Sequence, residues 1–230
     1  MIKKIAILVL CLPIFSFAQT TKSDKFFGLV KHHGVFLDYG KSNTSFIYTD
    51  DQGNQLDNLL SESLDFSAIG YEFLPHNFKI RTALTSNKYG ARSSVEDYSW
   101  SLSYIGLDLK GVYYIHLSKL DTSDMKKRGL KLLLHSGFSA SWMTKGLQRI
   151  GNQVYDLSNV NNGSFNTLFM GSLGASMQYP LSKAASVSLG YSINRGVNNM
   201  ETDGQSLFIQ SHNLYLKLLI KINNAKRIKY

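Results

Sequence analysis

Eleven ionisable residues stand where the alternation of strand-like stretches would place them opposite an apolar stripe. Six are cations, four are carboxylates and one is a histidine: Lys79, Arg81, Lys110, Lys131, Lys217 and Lys221; Asp38, Asp65, Glu72 and Asp108; and His135. Successive side chains of a strand point to opposite faces, so these groups would share one interior if the strands closed on themselves. We treat them as a predicted interior polar network.

Two kinds of chemistry suit such a set. Buried charges must be paired, so the first is a hydrogen-bonded network of ion pairs that fills and stiffens the interior. The second is a narrow pore that favours anions, because the cations outnumber the carboxylates six to four. A ring of about eight strands has an interior just wide enough for side chains to fill. The filled, ion-paired interior is therefore our prediction, with the pore as its alternative.

Catalysis would need a nucleophile, a base and an orienting group within hydrogen-bond reach. His135 and Ser136 are adjacent, so a strand sends them to opposite faces, and Ser139 lies about 13 Å from His135 at strand rise. His32 and His33 diverge in the same way, and the four-ligand spacing of a zinc site is absent. The sequence thus predicts no catalytic residue, no cofactor-binding residue and no metal site.

The elements that must position the network are alternating strands. Residues 213–222 are the clearest, with Leu214, Leu216 and Leu218 on one face and Tyr215 and Lys217 on the other. Seven more segments alternate in the same way: residues 33–48, 62–74, 78–85, 100–117, 129–146, 164–179 and 184–195. The last strand should pair with the first and so close the sheet.

The second segment changes its apolar frame part of the way along. Leu64, Phe66 and Ala68 would face outward, followed by Ile69 and Tyr71. Such a change predicts a β-bulge between Ala68 and Ile69.

The connections alternate between short and long, and aromatic residues cluster near the segment ends. The longest polar loops are predicted at residues 86–99 and 147–163, on the same side of the sheet. Two aromatic girdles are predicted: Phe78, Tyr113 and Tyr179 near the short turns, and Trp100, Trp142, Phe165 and Tyr191 near the long loops. Short turns on one side, long loops on the other and aromatic girdles are typical of outer-membrane barrels.

The first eighteen residues have the parts of a secretory signal peptide. Lys3 and Lys4 precede a short apolar run, and Ser16-Phe17-Ala18 ends in a small-x-small pattern. Cleavage after Ala18 removes two lysines, which takes Lys+Arg from 25 to 23 against 16 acidic residues, a net charge of +7. It also removes Cys11, the only cysteine, so the mature chain would form no disulfide.

The fold prediction follows from these patterns together. Without a second apolar stretch of spanning length, a mature chain that crosses a membrane can do so only as a closed barrel. We predict an all-β, closed, antiparallel, up-and-down transmembrane β-barrel of about eight strands, with short periplasmic turns and longer external loops. The predicted domain is residues 19–230 in the outer membrane, with the barrel at about 33–222 and a basic tail at 223–230.

Residues 104–114, read Tyr-Ile-Gly-Leu-Asp-Leu-Lys-Gly-Val-Tyr-Tyr, resemble the mid-chain strand of the outer-membrane β-barrel family common in Bacteroidota, the PorT-like group. Residues 179–184 followed by 188–191, and the Phe17-Ala18-Gln19 junction, are similar to the same group. The likeness extends over the mature chain as a pattern, but residues 31–33, Lys-His-His, interrupt the Gly-rich first strand of many members. It implies a small barrel, and some relatives serve protein secretion.

The expected function is a non-enzymatic structural or interaction role in the cell envelope, with an accessory role in protein secretion as a specific form. The alternatives are a lipid-modifying enzyme of the outer membrane, an anion-leaning pore, or a secreted soluble barrel that binds an apolar ligand. Expected partners are outer-membrane lipid, the barrel-assembly machinery and other envelope proteins. Nucleic acid is not expected, because no basic stripe follows an identifiable binding element.

Overall fold

The computed structural model describes residues 33–49, 52–55, 59–73, 78–94, 97–117, 129–157, 166–182, 184–197, 200–202 and 205–222. The predicted signal peptide, Phe165 and the basic tail lie outside these residues. No helix within the described ranges has the length and apolar character needed to cross a membrane. Regular structure in these ranges is almost entirely β-strand.

Ten strands follow one another along the chain, eight of them long and two short. They are β1 (His33–Thr49), β2 (Leu59–Phe73), β3 (Phe78–Ser93), β4 (Tyr98–His116), β5 (Lys131–Ile150), β6 (Gln153–Asp156), β7 (Thr167–Pro180), β8 (Ala185–Gly196), β9 (Met200–Thr202) and β10 (Gln205–Ile222).

The eight long strands form a closed antiparallel ring. Neighbours in sequence pair in the order β1-β2-β3-β4-β5-β7-β8-β10, and β10 pairs back onto β1. That last ladder runs from His33 opposite Ile222 to Thr49 opposite Ser206, so both edges are satisfied along the full length of the seam. The predicted fold and the predicted pairing of first and last strands are confirmed. The short β6 and β9 lengthen the hairpins on the long-loop side.

A belt of apolar side chains covers the outside of the ring. Phe138 is 71% exposed, and Leu37, Leu109, Leu173 and Leu216 are all more than half exposed. In a water-soluble protein such a surface would be costly, whereas a bilayer solvates it. We call this surface the apolar belt; it comprises Val35, Leu37, Tyr39, Ile69, Phe78, Leu84, Ile105, Leu109, Tyr113, Leu134, Phe138, Trp142, Phe169, Leu173, Met177, Tyr179, Leu189, Tyr191, Ile193, Leu214, Leu216, Leu218, Ile220 and Ile222.

The prediction of a β-bulge between Ala68 and Ile69 is wrong. β1 and β2 keep one register from Gly34 opposite Glu72 to Thr44 opposite Glu62. Phe66 and Ala68 consequently face inward and are buried, whereas Ile69 faces the lipid side. The irregularity lies further along, between Ser61 and Phe66 in the β2–β3 ladder. Apolar residues occupy both faces here, so alternation alone could not tell inside from outside.

The predicted loop at residues 86–99 is mostly strand. β3 continues to Ser93 and β4 begins at Tyr98, so only residues 94–97 connect them. The first part of the predicted loop at 147–163 likewise forms the end of β5 and the hairpin to β6. Beyond the belt, the outward side chains meet water and are polar, which gives these strand ends the composition of a loop.

Inside the ring, the long-loop end is filled by apolar side chains. Trp100, predicted for an outer girdle, points inward here and is only 4% exposed, because it packs against Phe46 and Tyr98. We call this cluster the outer-end core; its buried members are Phe46, Tyr89, Ala91, Trp100, Leu102, Tyr104, Leu168, Met170, Leu207 and Ile209. Trp142 and Tyr191 lie on the outside, as predicted, as do Phe78, Tyr113 and Tyr179 near the short turns.

Candidate functional site: the filled lumen

The inward side chains change character along each strand. On β3 they run from the charged Arg81 through Thr85 and Asn87 to the aromatic Tyr89. β4 repeats the order in reverse, because it is antiparallel. The lumen is therefore layered, with charges at the short-turn end, hydroxyls and amides in the middle and the outer-end core at the long-loop end.

Glu72 organises the charged layer. Its carboxylate accepts a hydrogen bond from Lys79 Nζ at 2.8 Å and from Arg81 Nε at 2.6 Å. The hydroxyl of Tyr114 lies 2.8 Å from both carboxylate oxygens and also accepts a hydrogen bond from Arg81 at 3.1 Å. Glu72 is 1% exposed and Arg81 3% exposed. Each of these charges is thus removed from water and compensated by at least two partners, as stability requires.

A second ion pair lies across the closing seam. Lys217 Nζ is 3.1 Å from Asp38 Oδ2, and the two residues are direct cross-strand partners on β10 and β1. The ammonium also sits 4.2 Å from the centre of the Phe36 ring, and Arg81 lies over the same ring at 5.7 Å. These contacts tie the seam to the Glu72 cluster through one aromatic side chain.

Two further pairs complete the network. Lys110 Nζ lies 2.6 Å from Asp108 Oδ2 on the same face of β4. Next to them, His135 on β5 reaches across the lumen to β10, where its Nε2 is 2.9 Å from the hydroxyl of Tyr215, and both side chains are buried. At this level the wall formed by β7 and β8 carries mainly serines and amides, including Gln178, which donates to Ser186 at 2.8 Å.

A small cavity of about 50 Å³ lies between the charged and hydroxyl-rich walls. It is lined by Asp38, Arg81, Lys110, His135 and Lys217, among others. One water needs roughly 10–15 Å³ measured in this way, so the cavity has room for a few water molecules. Asp38 Oδ1 and His135 Nδ1 are buried and have no protein partner within the described residues, so they suit hydrogen bonds to such waters.

Ten of the eleven predicted network residues lie at inward positions, but Asp65 does not. It forms an ion pair with Lys41 at 2.7 Å on the outer surface, where both side chains are largely exposed. The incorrect placement follows from the bulge expected at Ala68, which reversed the frame of the preceding residues. Lys131 and Lys221 occupy inward positions at the short-turn rim and are partly exposed, and Lys131 Nζ lies 5.9 Å from the Tyr114 ring centre.

Three aromatic residues of the site were not among the predicted network residues: Phe36, Tyr114 and Tyr215. Each shares a face with a predicted charge, Phe36 with Asp38 and Tyr215 with Lys217, so the alternation contained the signal. Phe36 contacts cations with its ring face, and the tyrosine hydroxyls hydrogen-bond to a carboxylate or a histidine. These roles depend on strand register, which the sequence alone does not determine.

The site holds charges in place and offers little reactive chemistry. His135 contacts a tyrosine, and in the described part of the chain no carboxylate lies at ion-pair distance from it. Within the same residues, no group of three or more histidine, cysteine or acidic side chains could hold a metal ion. What the arrangement does chemically is hold four cations against three carboxylates and three aromatic side chains in one layer: Lys79, Arg81, Lys110 and Lys217; Asp38, Glu72 and Asp108; and Phe36, Tyr114 and Tyr215.

We expect Tyr215→Phe to lower the free energy of unfolding by about 1–3 kcal/mol, because it leaves the buried His135 Nε2 without its partner. Tyr191→Phe is the matched control, since Tyr191 makes the same kind of contact to His212, at 2.6 Å, on the exposed outer surface. Tyr191 lies at the long-loop edge of the apolar belt, where water and lipid headgroups replace that partner, so the control should change stability by less than about 0.5 kcal/mol. Equal losses in urea unfolding of the two variants in lipid vesicles would contradict the assignment.

Comparison with known proteins bears on the fold. No protein-family model matches the chain, and no curated protein matches it. Among solved structures, it is similar to the outer membrane protein OprG from Pseudomonas aeruginosa, with a TM-score of 0.50 and 6% identity over 85% of this chain and 98% of that chain. Neisserial surface protein A gives a TM-score of 0.48 and 13% identity over 83% and 97% of the two chains.

The outer membrane protease OmpT from Escherichia coli is also similar, with a TM-score of 0.42 and 9% identity over 84% of this chain and 97% of that one. At these identities only the fold is compared, and we base it on OprG. The closed ring, the lipid-facing apolar belt and the fold shared with OprG make this chain an integral outer-membrane β-barrel protein.

Proposed function

We propose that the protein is a non-conducting, non-enzymatic barrel with a structural or interaction role in the cell envelope. The observation that carries this proposal is the filled lumen. The outer-end core occupies one end, and the Glu72 cluster occupies the other. Both clusters consist of buried side chains that fill their part of the lumen. The charges of the lumen then serve rigidity, which a platform for partner proteins needs.

The long-loop side offers a surface for such partners. The β5–β6 hairpin extends beyond the apolar belt, and its side chains Val154 and Tyr155 are about half exposed. Consecutive strand residues point to opposite faces, so β6 presents one exposed apolar side chain on each face to a partner. Within this proposal, the PorT-like resemblance of residues 104–114 favours an accessory role in protein secretion. Envelope proteins and the barrel-assembly machinery are the proposed partners.

Affinity capture from detergent-solubilised membranes tests the interaction role. We expect a partner to co-purify with the tagged wild-type protein and to be lost with Val154→Ser/Tyr155→Ser. Leu181→Ser is the control, because Leu181 is similarly exposed at a short turn on the opposite side. Loss of the partner with the control but not with the hairpin variant would contradict the hairpin as the contact surface. Capture of no partner by the wild-type protein would contradict the interaction role itself.

The lipid-modifying enzyme remains a separate candidate with a separate test. It would change the acyl chains of envelope lipids, and mass spectrometry of lipids from a deletion strain would show this. We expect unchanged acyl chains. A reproducible change restored by the wild-type gene would replace the non-enzymatic proposal.

A further inference from the structure

The cations of the described residues divide evenly between the two faces of the barrel. Six face the lumen: Lys79, Arg81, Lys110, Lys131, Lys217 and Lys221. Six face outward, and all of these lie on the long-loop side of the apolar belt: Lys41, Lys88, Arg92, Lys145, Arg149 and Arg195. At the short-turn rim, the described outward residues are instead apolar, such as Phe78, Tyr113 and Tyr179. Among the described residues, the outward cations therefore all lie on one side of the belt.

Three of the outward cations form a row along the edge of the belt. Lys41 pairs with Asp65 across β1 and β2, and Lys88 and Lys145 are both cross-strand partners of Ser103 on β4. Asn87, which precedes Lys88, pairs with Phe66, which follows Asp65, so Asp65 and Lys88 are neighbours on β2 and β3 at the point where that ladder begins to shift register. We call Lys41, Asp65, Lys88, Ser103 and Lys145 the lysine row. At about 4.8 Å between strands it extends roughly 19 Å around the barrel.

A β-bulge in β5 places the side chain of Lys145 in this row. The β4–β5 ladder shifts register between Ser103 and Tyr104, which pair with Lys145 and Met143 and leave Thr144 without a partner residue. Trp142 faces outward and Met143 packs against the outer-end core. Without the extra residue, Lys145 would share the inward face with Met143 and bury its charge in that core. The bulge thus redirects one side chain, which is a recurrent use of bulges.

The row carries more positive charge than its own surroundings neutralise. Asp65 pairs with Lys41, but within the described residues no carboxylate lies at ion-pair distance from Lys88 or Lys145. Directly next to the row, towards the belt, lie Tyr39 and Trp142, both exposed. Aromatic side chains mark the level of the lipid headgroups in membrane barrels. The free positive charge therefore stands at headgroup level, continuous with the lipid-facing surface.

We propose that the lysine row binds the phosphate groups of lipids in the outer leaflet of the membrane. The proposal rests on the outer-membrane placement of the barrel with its long loops outside, and it is independent of whether the lumen conducts. Ammonium groups attract phosphate as point charges, and a row allows one or two headgroups to contact several of them at once. The apolar belt below holds the acyl chains of the same lipid molecules.

Fluorescence of Trp142 tests this proposal. The purified protein is reconstituted in phosphatidylcholine vesicles that contain a minor amount of a lipid with brominated acyl chains. That lipid is either brominated phosphatidic acid or brominated phosphatidylcholine. Trp142 is 41% exposed on the belt beside Lys145, whereas Trp100, the other tryptophan, is buried in the lumen. Quenching by brominated chains therefore reports which lipid contacts the row. In the wild-type protein, brominated phosphatidic acid should quench more strongly than brominated phosphatidylcholine at equal mole fraction.

Lys88→Gln/Lys145→Gln should remove this preference, and Arg92→Gln/Arg149→Gln should keep it. The control pair removes the same charge from the same strands, flanking Ser99 as the lysines flank Ser103, but about 13 Å further from the belt. One lysine near an anionic surface accounts for about a five-fold preference. We therefore expect the preference for phosphatidic acid over phosphatidylcholine to fall by roughly 5- to 25-fold in the double lysine variant. Quenching by brominated phosphatidylcholine should be equal in all three proteins, which shows that each is folded and inserted.

Two results would overturn the proposal. One is equal quenching of the wild-type protein by the two brominated lipids. The other is the same loss of preference in the lysine and arginine variants, which would indicate a diffuse effect of net charge. Neither result bears on the non-conducting, non-enzymatic role, which the capture and lipid-analysis experiments test.

Discussion

Glu72→Gln should lower the free energy of unfolding by about 3–5 kcal/mol. The substitution keeps the shape of the side chain but removes the negative charge that compensates Lys79 and Arg81. Arg81 is almost fully buried, and breaking a buried pair by neutralising one partner leaves an uncompensated charge away from water. Urea unfolding of the purified protein in lipid vesicles, followed by tryptophan fluorescence, measures the change.

Two companion variants make this prediction specific. Asp65→Asn breaks the exposed pair with Lys41 and should cost less than about 1 kcal/mol, because solvent screens that pair. Arg81→Met in the Glu72→Gln background should recover part of the loss, since the uncompensated cation is removed. A loss below about 1 kcal/mol for Glu72→Gln, or strictly additive effects of the two inner substitutions, would contradict an ion-paired lumen.

Leu102→Ala should cost about 2–5 kcal/mol by creating a cavity in the outer-end core. Leu102 is fully buried among aromatic and aliphatic side chains inside the ring. Its replacement loses both the transfer free energy of the removed carbons and the contacts around the space they leave. The same unfolding measurement applies.

Leu109→Ala is the matched control for the apolar core. Leu109 lies on the same strand but is 57% exposed on the apolar belt. Lipid can fill the space that the smaller side chain leaves, so only the transfer contribution is lost. We expect the core variant to be the more destabilised of the two by about 1–3 kcal/mol. Equal losses would mean that the outer-end core is loosely packed, contrary to the structure.

The barrel could be predicted from the sequence because its belt-level strands alternate cleanly. Along β8 and β10, apolar side chains such as Leu189 and Leu216 face lipid, and serines or lysines face inward. The expected turn lengths were a weaker guide, because only residues 94–97 join β3 to β4 on the long-loop side, whereas residues 117–130 join β4 to β5 on the short-turn side. The alternation of the first and last strands was sufficient to predict that these two strands pair, and they do so along their full length.

The prediction was wrong where the pattern reverses beyond the belt. There the inside becomes apolar and the outside polar, as at Tyr89 beside Lys88, so the strand ends resembled loops and Trp100 resembled a girdle residue. Asp65 was misplaced for a related reason, since Phe66 and Ala68 are apolar residues that face inward. Sequence alternation identifies two faces of a strand but not which medium each face meets. That depends on height along the barrel axis, which only the assembled ring defines.

The lumen network was predicted as a set of charges but not as a set of contacts. Alternation placed Glu72, Lys79 and Arg81 on the inward faces of their strands. The structure adds that Tyr114, on β4, hydrogen-bonds to the Glu72 carboxylate. The His135–Tyr215 contact joins residues 80 positions apart. Contacts of this kind depend on the register of several strands at once, and one sequence does not determine that register.

Conductance across a planar lipid bilayer tests the central claim, the filled lumen, most directly. The purified protein is incorporated into the bilayer, and current is recorded under applied voltage with chloride salt at unequal concentrations on the two sides. The outer-end core and the Glu72 cluster predict no discrete conductance steps. Regular steps with a reversal potential that favours chloride would contradict the account, because they would show a continuous path lined by the lumen cations.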